Sequence, residues 1–222
     1  MTDVTALTIA ILGGTGGQGQ GLAYRFANAG VSVIIGSRDA ERAHTAADEL
    51  SGRITGGRVT GASNAGAASA ADVIVVAVPW EAHEKTLTGL VTELKGKIVV
   101  DCVNPMGFDE RGPYPLLTDD GSAAEEAARL LPDSTVVAAF HHVSAVLLSD
   151  PTVSDLDLDV LVLGEERSAT DTVQALAELL PGVRGIFGGR LRNAGQVEAL
   201  TANLIAVNRR YKTHAGIRIT GL

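Results

Sequence analysis

Residues 8–21 read TIAILGGTGGQGQG, and this stretch decides the fold. The apolar run from Thr8 to Leu12 predicts a strand buried on both faces, and glycines follow it directly. Apolar side chains from Leu22 to Ala27 then recur at helical spacing, which predicts a helix that ends near Gly30. A second apolar run at Val33 to Ile35 completes a strand–helix–strand unit, whose crossover requires a parallel sheet.

The same alternation continues to about residue 150. It predicts further strands at Asp72–Val78, Lys97–Asp101 and Thr135–Phe140 and helices at Asp39–Leu50, Glu81–Leu94 and Ser122–Leu131. The stretch from Thr55 to Ala71, rich in Gly, Ala and Ser, is expected to be an irregular connection with one short strand. Alternating strands and helices in this order predict an α/β fold with a Rossmann-type, doubly wound parallel sheet.

After Pro151 the pattern loosens. It predicts a strand at Val160–Leu163, a helix at Thr170–Leu180 and an amphipathic helix from Leu191 to about Ala215. We therefore divide the chain into a sheet domain, residues 1–150, and a smaller helix-containing C-terminal domain, residues 151–222. The apolar face of the last helix favours a homodimer.

Composition excludes several classes of protein. The chain of 222 residues carries 18 basic and 26 acidic residues, a net charge of −8, with no basic tract for nucleic acid. The single cysteine, Cys102, makes neither an intrachain disulfide nor a metal site by itself. The first apolar run is far shorter than the roughly 20 residues of a membrane span, and no basic segment precedes it. We expect a cytoplasmic protein without membrane, nucleic-acid or metal partners.

The glycines after the first strand match G-x-G-x-x-G, as Gly14-Thr15-Gly16-Gly17-Gln18-Gly19. The match lies between a predicted strand and a predicted helix, where a dinucleotide site requires it. Gly14 would permit the tight turn, Gly16 the approach of a pyrophosphate, and Gly19 close packing of helix on strand. The alternative is a glycine-rich turn that binds nothing.

The end of the second strand indicates which dinucleotide binds. An NAD site normally has an acidic residue there, roughly 20 residues past the glycines, but this chain has Gly36-Ser37-Arg38. A hydroxyl and a guanidinium suit the 2′-phosphate of NADP, and Arg42 is placed to add a second cation. The alternative is that both arginines are solvated and pair with Asp39 or Glu41.

Other strand ends are expected to meet at the same edge of the sheet. Trp80 would either stack along the nucleotide or pack at a domain interface. His141 and His142 follow a strand, and because neighbours in an extended chain point to opposite sides, we expect one of them to face the cleft. Either of them is otherwise a structural histidine. His44 and His83 are expected on the surface, and no hydrolase or kinase motif is present.

Several motifs together resemble those of the NADPH-dependent coenzyme F420 reductases, also called F420H2:NADP oxidoreductases. The resemblance spans nearly the whole chain. It rests on Gly13 to Ala23, Gly36-Ser37-Arg38, Val78-Pro79-Trp80-Glu81, Ala139-Phe140-His141-His142, and Asn208 to Lys212 with Gly216-Ile217-Arg218. It implies reversible hydride transfer between the 8-hydroxy-5-deazaflavin F420 and NADP(H).

The resemblance also implies roles for individual residues. Thr15, Gly16, Gly17 and Gln18 would hold the pyrophosphate, and Ser37, Arg38 and Arg42 the 2′-phosphate. Trp80 and Glu84 would lie along the nucleotide and Met106 near the nicotinamide, while His141, Ala145, Ala215 and Gly216 would border the deazaflavin. His141 would position the ring, and the small residues would let two flat rings approach each other.

Two other functions remain open at this stage. One is an NADP-dependent reductase of a small imine or carbonyl, of the pyrroline-carboxylate reductase type. The other is a non-enzymatic NADP-sensing module. A basic cluster near the C-terminus, formed by Arg209, Arg210, Lys212 and Arg218, would meet the anionic tail of the deazaflavin or pair with acidic residues.

Overall fold

The computed structural model describes residues 3–222. Its strands are β1 (Thr8–Leu12), β2 (Ser32–Ser37), β3 (Val59–Ser63), β4 (Val73–Val76), β5 (Ile98–Asp101), β6 (Met106–Asp109), β7 (Gly112–Pro115), β8 (Thr135–Ala138), β9 (Leu158–Gly164) and β10 (Val183–Gly189). Its α-helices are α1 (Gly17–Asn28), α2 (Ala40–Ser51), α3 (Asn64–Ala70), α4 (His83–Thr88), α5 (Val91–Leu94), α6 (Ala123–Leu130), α7 (Ala145–Ser149), α8 (Arg167–Glu178) and α9 (Ala194–Tyr211).

The main sheet has the strand order β10-β9-β8-β5-β4-β1-β2-β3. Every neighbouring pair is parallel except β8 and β9, which run antiparallel. The chain winds outward from β1 in both directions, so the connections that leave the adjacent carboxyl ends of β1 and β4 run in opposite directions, at a switch point where such sheets bind ligands. The predicted doubly wound architecture is confirmed.

Side chains alternate along β1 between two apolar cores, one on each face of the sheet. Ile9 and Ile11 belong to the core that includes α1 and α8, whereas Ala10 and Leu12 belong to the core that includes α3 and α6. The four side chains are completely buried. An apolar strand flanked by glycine is therefore the centre of the molecule, as the sequence predicts.

The segment after residue 150 adds two strands to this sheet. β9 and β10 pair with each other and β9 pairs with β8, so they continue the sheet of the N-terminal part. The division into residues 1–150 and 151–222 stays a prediction. No helix within residues 3–222 is both long enough and apolar enough to span the hydrocarbon layer of a membrane.

Three sequence predictions are corrected here. The continuous helix over Glu81–Leu94 is instead a 3-10 turn followed by α4 and α5, because Gly89 disfavours a helix interior and Leu90 leaves helical geometry. The connection Thr55–Ala71 contains α3 as well as β3, since the Ser63 hydroxyl caps α3 at Gly66 N. The last helix ends at Tyr211, where Lys212 adopts a left-handed conformation, rather than near Ala215.

Candidate functional site

The glycine-rich turn joins β1 to α1 at the carboxyl edge of the sheet. Gly13 has a φ of +73°, so the left-handed residue precedes Gly14. A Cβ atom on Gly19 would lie 2.6 Å from the Cα atom of Gly14, so the close packing expected at Gly19 is present. Gly16 precedes α1, whose first backbone N–H groups have no partner within the helix. Free amides at the positive end of a helix form a site for an anion.

Gln18 ties this turn to the end of β8. Its side-chain Nε2 donates to the carbonyl oxygen of Phe140 at 3.1 Å. Beside it, a Cβ atom on Gly17 would lie 3.8 Å from the Cβ atom of Ala145, the first residue of α7. Thr15 is half-buried in the turn. The glycine turn and the start of α7 therefore face each other at close range.

The end of β2 carries Ser37 and Arg38 into a smaller cavity of about 300 Å³. The carboxylate of Asp39 caps α2 by accepting from the backbone N–H groups of Glu41 and Arg42. Among residues 3–222, neither Arg38 nor Arg42 forms an ion pair with a carboxylate. Arg42 is exposed on α2 and is not among the residues that line this cavity.

A larger cleft of about 730 Å³ lies where the carboxyl ends of β4, β5 and β8 meet α9. Its walls come from distant parts of the chain, and among the predicted site residues they include Gln18, Trp80, His141, Ala145 and Ala215. Glu84, Met106 and Gly216 are not among the lining residues. A Cβ atom on Gly216 would lie 2.8 Å from that of Leu158, so this glycine packs against the start of β9. Trp80 both lines the cleft and packs on the apolar core.

Both His141 and His142 line the cleft, so the prediction that only one of them would do so is wrong. The reason is that β8 ends at Ala138 and the chain turns at Phe140, which has a φ of +64°. The alternation of an extended strand therefore does not reach the histidines. Burial lowers the pKa of each ring to about 4, so both are neutral at pH 7.

His141 differs from its neighbour in having no protein partner for its ring. Its Nδ1 and Nε2 atoms are both buried and have no hydrogen-bond partner within residues 3–222. His142 Nε2, in contrast, accepts from the backbone N–H of Leu161 at 3.4 Å, although its Nδ1 is also buried without a partner among the described residues. Because buried polar groups in proteins are normally paired, the two ring nitrogens of His141 have hydrogen-bonding capacity that the described residues do not use.

His83 is completely buried, so the prediction that it lies on the surface is wrong. Its Nε2 lies 2.7 Å from Asp101 Oδ2 and its Nδ1 lies 2.8 Å from Glu126 Oε1. Burial lowers the pKa of the ring, but the two carboxylates outweigh this and raise it to about 9. The imidazolium, held between two carboxylates, is therefore the stable form of this ring at pH 7.

Glu198 of α9 belongs to the same buried region. Its carboxylate accepts from the backbone N–H groups of Ala123 and Ala124 at the start of α6. Burial raises its pKa to about 7. Sequence reasoning missed this carboxylate and His83, although an acidic residue that interrupts the apolar stripe of α9 was a signal for a buried partner.

Replacing His83 by glutamine is expected to lower the free energy of unfolding at pH 6 by about 3 kcal/mol, because Asp101 and Glu126 lose their shared cation. In the wild type this stabilisation is complete below pH 6.5 and is lost as the pH rises through 9, since the folded protein holds the extra proton between these values. Denaturant unfolding from pH 6 to 10 measures both effects.

The matched control for this variant is His44→Gln, because His44 is exposed on α2. It should leave the unfolding free energy unchanged at every pH. Glu198, which titrates at the lower end of the same range, is present in the wild type and in both variants. The wild type should lose stability between pH 7 and 9. If His83→Gln shows the same loss in full, the loss does not come from His83.

The C-terminal cations divide into two groups. Arg209 and Lys212 line the cleft. Arg218 instead bonds to Asp157 and Asp159, and Arg184 makes two further hydrogen bonds to Asp159. These contacts, chiefly that with Arg184, hold the pKa of the Asp159 carboxyl well below its usual range.

The same carboxylate accepts from the backbone N–H of Ile219 at 2.6 Å. The C-terminal tail that follows Lys212 is thereby fastened to β9 and β10. This tail carries Ala215, one of the walls of the cleft. Arg218 thus fixes the wall of the cleft through its acidic partners. Of the four residues in the predicted basic cluster, Arg209 and Lys212 line the cleft.

The residues present fit a dinucleotide with a second flat ring beside it. The glycine turn provides free amides for a pyrophosphate, and Ala145, which lies against Gly17, gives the wall of the cleft a small side chain. Further along, the unpartnered ring of His141 and the buried Oδ1 of Asn104 offer polar contacts. Within residues 3–222, no group of three or more His, Cys, Asp or Glu side chains is placed to hold a metal ion.

Comparison with known proteins supports the same conclusion. Residues 8–105 match the family model described as NADP oxidoreductase coenzyme F420-dependent. The chain is 43% identical to the F420-dependent NADP reductase of Methanothermobacter thermautotrophicus, over 100% of this chain and 98% of the relative. It is 40% identical to the F420-dependent NADP reductase of Methanocaldococcus jannaschii, over 97% of this chain and 99% of the relative.

A solved structure shares the whole architecture. The crystal structure of a putative F420-dependent NADP reductase from Arthrobacter sp. FB24 superposes with a TM-score of 0.83 and 27% sequence identity, over 97% of this chain and 100% of that chain. Identity of this extent over the full length, together with the glycine turn and the cleft, establishes the family. The chain belongs to the family of F420-dependent NADP reductases.

Proposed function

We propose that this protein catalyses reversible hydride transfer between reduced coenzyme F420, an 8-hydroxy-5-deazaflavin, and NADP+. The observation that carries the proposal is the meeting of the glycine turn with α7 at one cleft, which Gln18 and Ala145 both line and where Gly17 lies against Ala145. Hydride transfer between two flat rings requires close approach more than an acid and a base. The names of the relatives support this function over reduction of an imine or carbonyl.

The NADP(H) half of the site follows the carboxyl ends of β1 and β2. Thr15, Gly16, Gly17 and Gln18 hold its pyrophosphate, Gly14 and Gly19 shape the turn, and Ser37, Arg38 and Arg42 hold its 2′-phosphate. Because Gln18 Nε2 is bonded to Phe140, Gln18 contributes its backbone N–H rather than its side chain. Trp80 and Glu84 lie along the nucleotide, and Met106 lies near the nicotinamide.

The deazaflavin half lies between the β8 end and the C-terminal segment. His141, Ala145, Ala215 and Gly216 border the ring. A neutral His141 offers one donor and one acceptor nitrogen, which positions a ring without moving a proton at pH 7. Arg209 and Lys212 face the anionic tail of the coenzyme. In this proposal residues 151–222 complete the site that residues 1–150 begin.

The same proposal includes a homodimer in the cytoplasm. Large apolar side chains on α9 and on the adjacent β6–β7 hairpin are exposed: Tyr211 to 72%, Phe108 to 61% and Tyr114 to 43%. α9 packs against β7, so these side chains lie on neighbouring elements. An apolar surface of this kind is typical of a subunit contact.

The activity is tested by mixing the protein with NADPH and oxidised F420 and following the absorbance of both coenzymes. We expect one deazaflavin reduced for each NADPH oxidised, and the reverse exchange from F420H2 and NADP+. A parallel reaction with NADPH and pyrroline-5-carboxylate tests the imine reductase alternative. Oxidation of NADPH by the imine but not by F420 would overturn the proposal, and the absence of both reactions would favour an NADP-sensing module.

A further inference from the structure

The cavity that contains Ser37 and Arg38, which we call the Arg38 cavity, has a second basic side chain. It lies between the ends of β2 and β3 on one side and α4 on the other. Its lining residues are Ser37, Arg38, Ser63, Asn64, Ala65, Ala82, Lys85, Thr86, Gly89 and Leu90. Lys85 comes from α4, so it reaches the cavity from the wall opposite the β2 end.

The Arg38 cavity is basic and has no neutralising acid. None of its lining residues is Asp or Glu. Among residues 3–222, neither Arg38 nor Lys85 takes part in an ion pair. Two uncompensated cations on one small concave surface favour an anion with more than one charged oxygen.

One acceptor in the same cavity also has no partner. Asn64 Oδ1 is buried and makes no hydrogen bond within the described part of the chain. Its neighbour Ser63 already accepts from Gly66 N, so that oxygen is engaged in capping α3. A buried carbonyl oxygen without a donor indicates a ligand that donates to it, because such groups are normally paired.

We propose that Lys85 binds the 2′-phosphate of NADP(H) together with Arg38, and that Asn64 Oδ1 accepts a hydrogen bond from the adenosine. Lys85 lines the cavity from the wall opposite Ser37 and Arg38, so it adds a cation to the 2′-phosphate site on a side that Arg42, which does not line the cavity, leaves open. The flexible stem of a lysine lets its ammonium group follow the phosphate oxygens, while the planar guanidinium of Arg38 fixes their direction. Lys85 is thus a residue that selects NADP(H) over NAD(H).

The test uses two fragments of the coenzyme, 2′,5′-ADP and 5′-AMP, which differ only in the 2′-phosphate. Their affinities for the full-length protein are measured by calorimetry. Lys85→Gln should weaken 2′,5′-ADP about tenfold, the size expected for one charge-assisted hydrogen bond, and leave 5′-AMP unchanged. Asn64→Ala should weaken both fragments to the same extent. Steady-state kinetics should show the same tenfold fall in the preference of Lys85→Gln for NADPH over NADH.

Lys95→Gln is the matched control, because Lys95 is an exposed lysine paired with Asp133 outside the cavity. It should bind both fragments as the wild type does. Unchanged binding of 2′,5′-ADP by Lys85→Gln, or equal losses for both fragments, would overturn the assignment of Lys85. The assignment of Lys85 would also be overturned if Arg42→Gln lost its selectivity for the 2′-phosphate and Lys85→Gln kept it.

This inference rests on the NADP(H) half of the proposed function alone. Neither fragment contains nicotinamide, and F420 is absent from the calorimetry. Selective binding of 2′,5′-ADP by a protein that fails to reduce F420 would therefore refute the hydride transfer and support the Arg38 cavity. If Lys85→Gln instead transfers hydride between the two coenzymes and keeps the wild-type preference for NADPH over NADH, only the role of Lys85 is refuted.

Discussion

Replacing Gly19 by alanine is expected to weaken the binding of NADPH by roughly a hundredfold, since overpacking at a rigid contact typically costs a few kcal/mol. A Cβ atom there would lie 2.6 Å from the Cα atom of Gly14 and 3.0 Å from the carbonyl oxygen of Gly13. Both are backbone atoms of the nucleotide turn, so α1 has to move away from β1. The binding amides at the start of α1 then lose their alignment. Fluorescence titration with NADPH measures the loss.

Gly52→Ala is the control, because its Cβ atom would come no closer than 3.8 Å to a neighbouring atom and its φ is helical. It should bind NADPH like the wild type and unfold at the same temperature. Circular dichroism should show that Gly19→Ala keeps its helix content. Wild-type affinity in a folded Gly19→Ala protein would mean that the glycine turn is not the nucleotide site.

Replacing Ala145 by leucine is expected to slow hydride transfer about a hundredfold, because a misplacement of ~1 Å at the reacting atoms has an effect of that size. Ala145 begins α7, lies against Gly17 and lines the cleft where, in the proposed function, two rings have to come into van der Waals contact. A leucine side chain there would hold the rings apart. Stopped-flow recording of deazaflavin absorbance after mixing with NADPH measures the rate of the single turnover.

The thermal unfolding midpoint of Ala145→Leu should stay within a few degrees of the wild-type value, because this side chain projects into the cleft rather than into either core. Ala70→Leu is the control, since Ala70 is exposed at the end of α3. Unchanged single-turnover rates in Ala145→Leu would remove this residue from the ring-facing surface. A slow rate in Ala70→Leu as well would point to a general loss of structure.

Much of the fold could be predicted because each element is encoded locally. The apolar run Thr8–Leu12, the glycines after it and the helical spacing up to Ala27 predict β1, the turn and α1 without reference to the rest of the chain. The ends of β4 and β8 were also predictable as parts of one edge, since parallel strands place their carboxyl ends together. The helix over Glu81–Leu94 could not be divided correctly, because a single glycine is a weak signal against an otherwise helical pattern.

The candidate site was predictable in composition and less so in geometry. The sequence brings the glycine turn, Ser37 and Arg38 to one edge, and the structure agrees with that placement. The sequence could not show that Lys85 lines the Arg38 cavity and that Arg42 does not. That difference depends on the position of α4 across the cavity from the ends of β2 and β3, which are elements distant from it in the chain.

What the sequence by itself determined is the doubly wound sheet, the dinucleotide turn and the family resemblance, because these depend on short patterns of apolar residues and glycine. Only the tertiary structure decided the partners of the buried charges. His83 meets Asp101 and Glu126, and Arg218 meets Asp159 rather than a coenzyme. Such pairs join residues from 18 to 59 positions apart, and no local pattern records them. A buried charge requires a partner because its desolvation is costly, and the fold determines which residue is that partner.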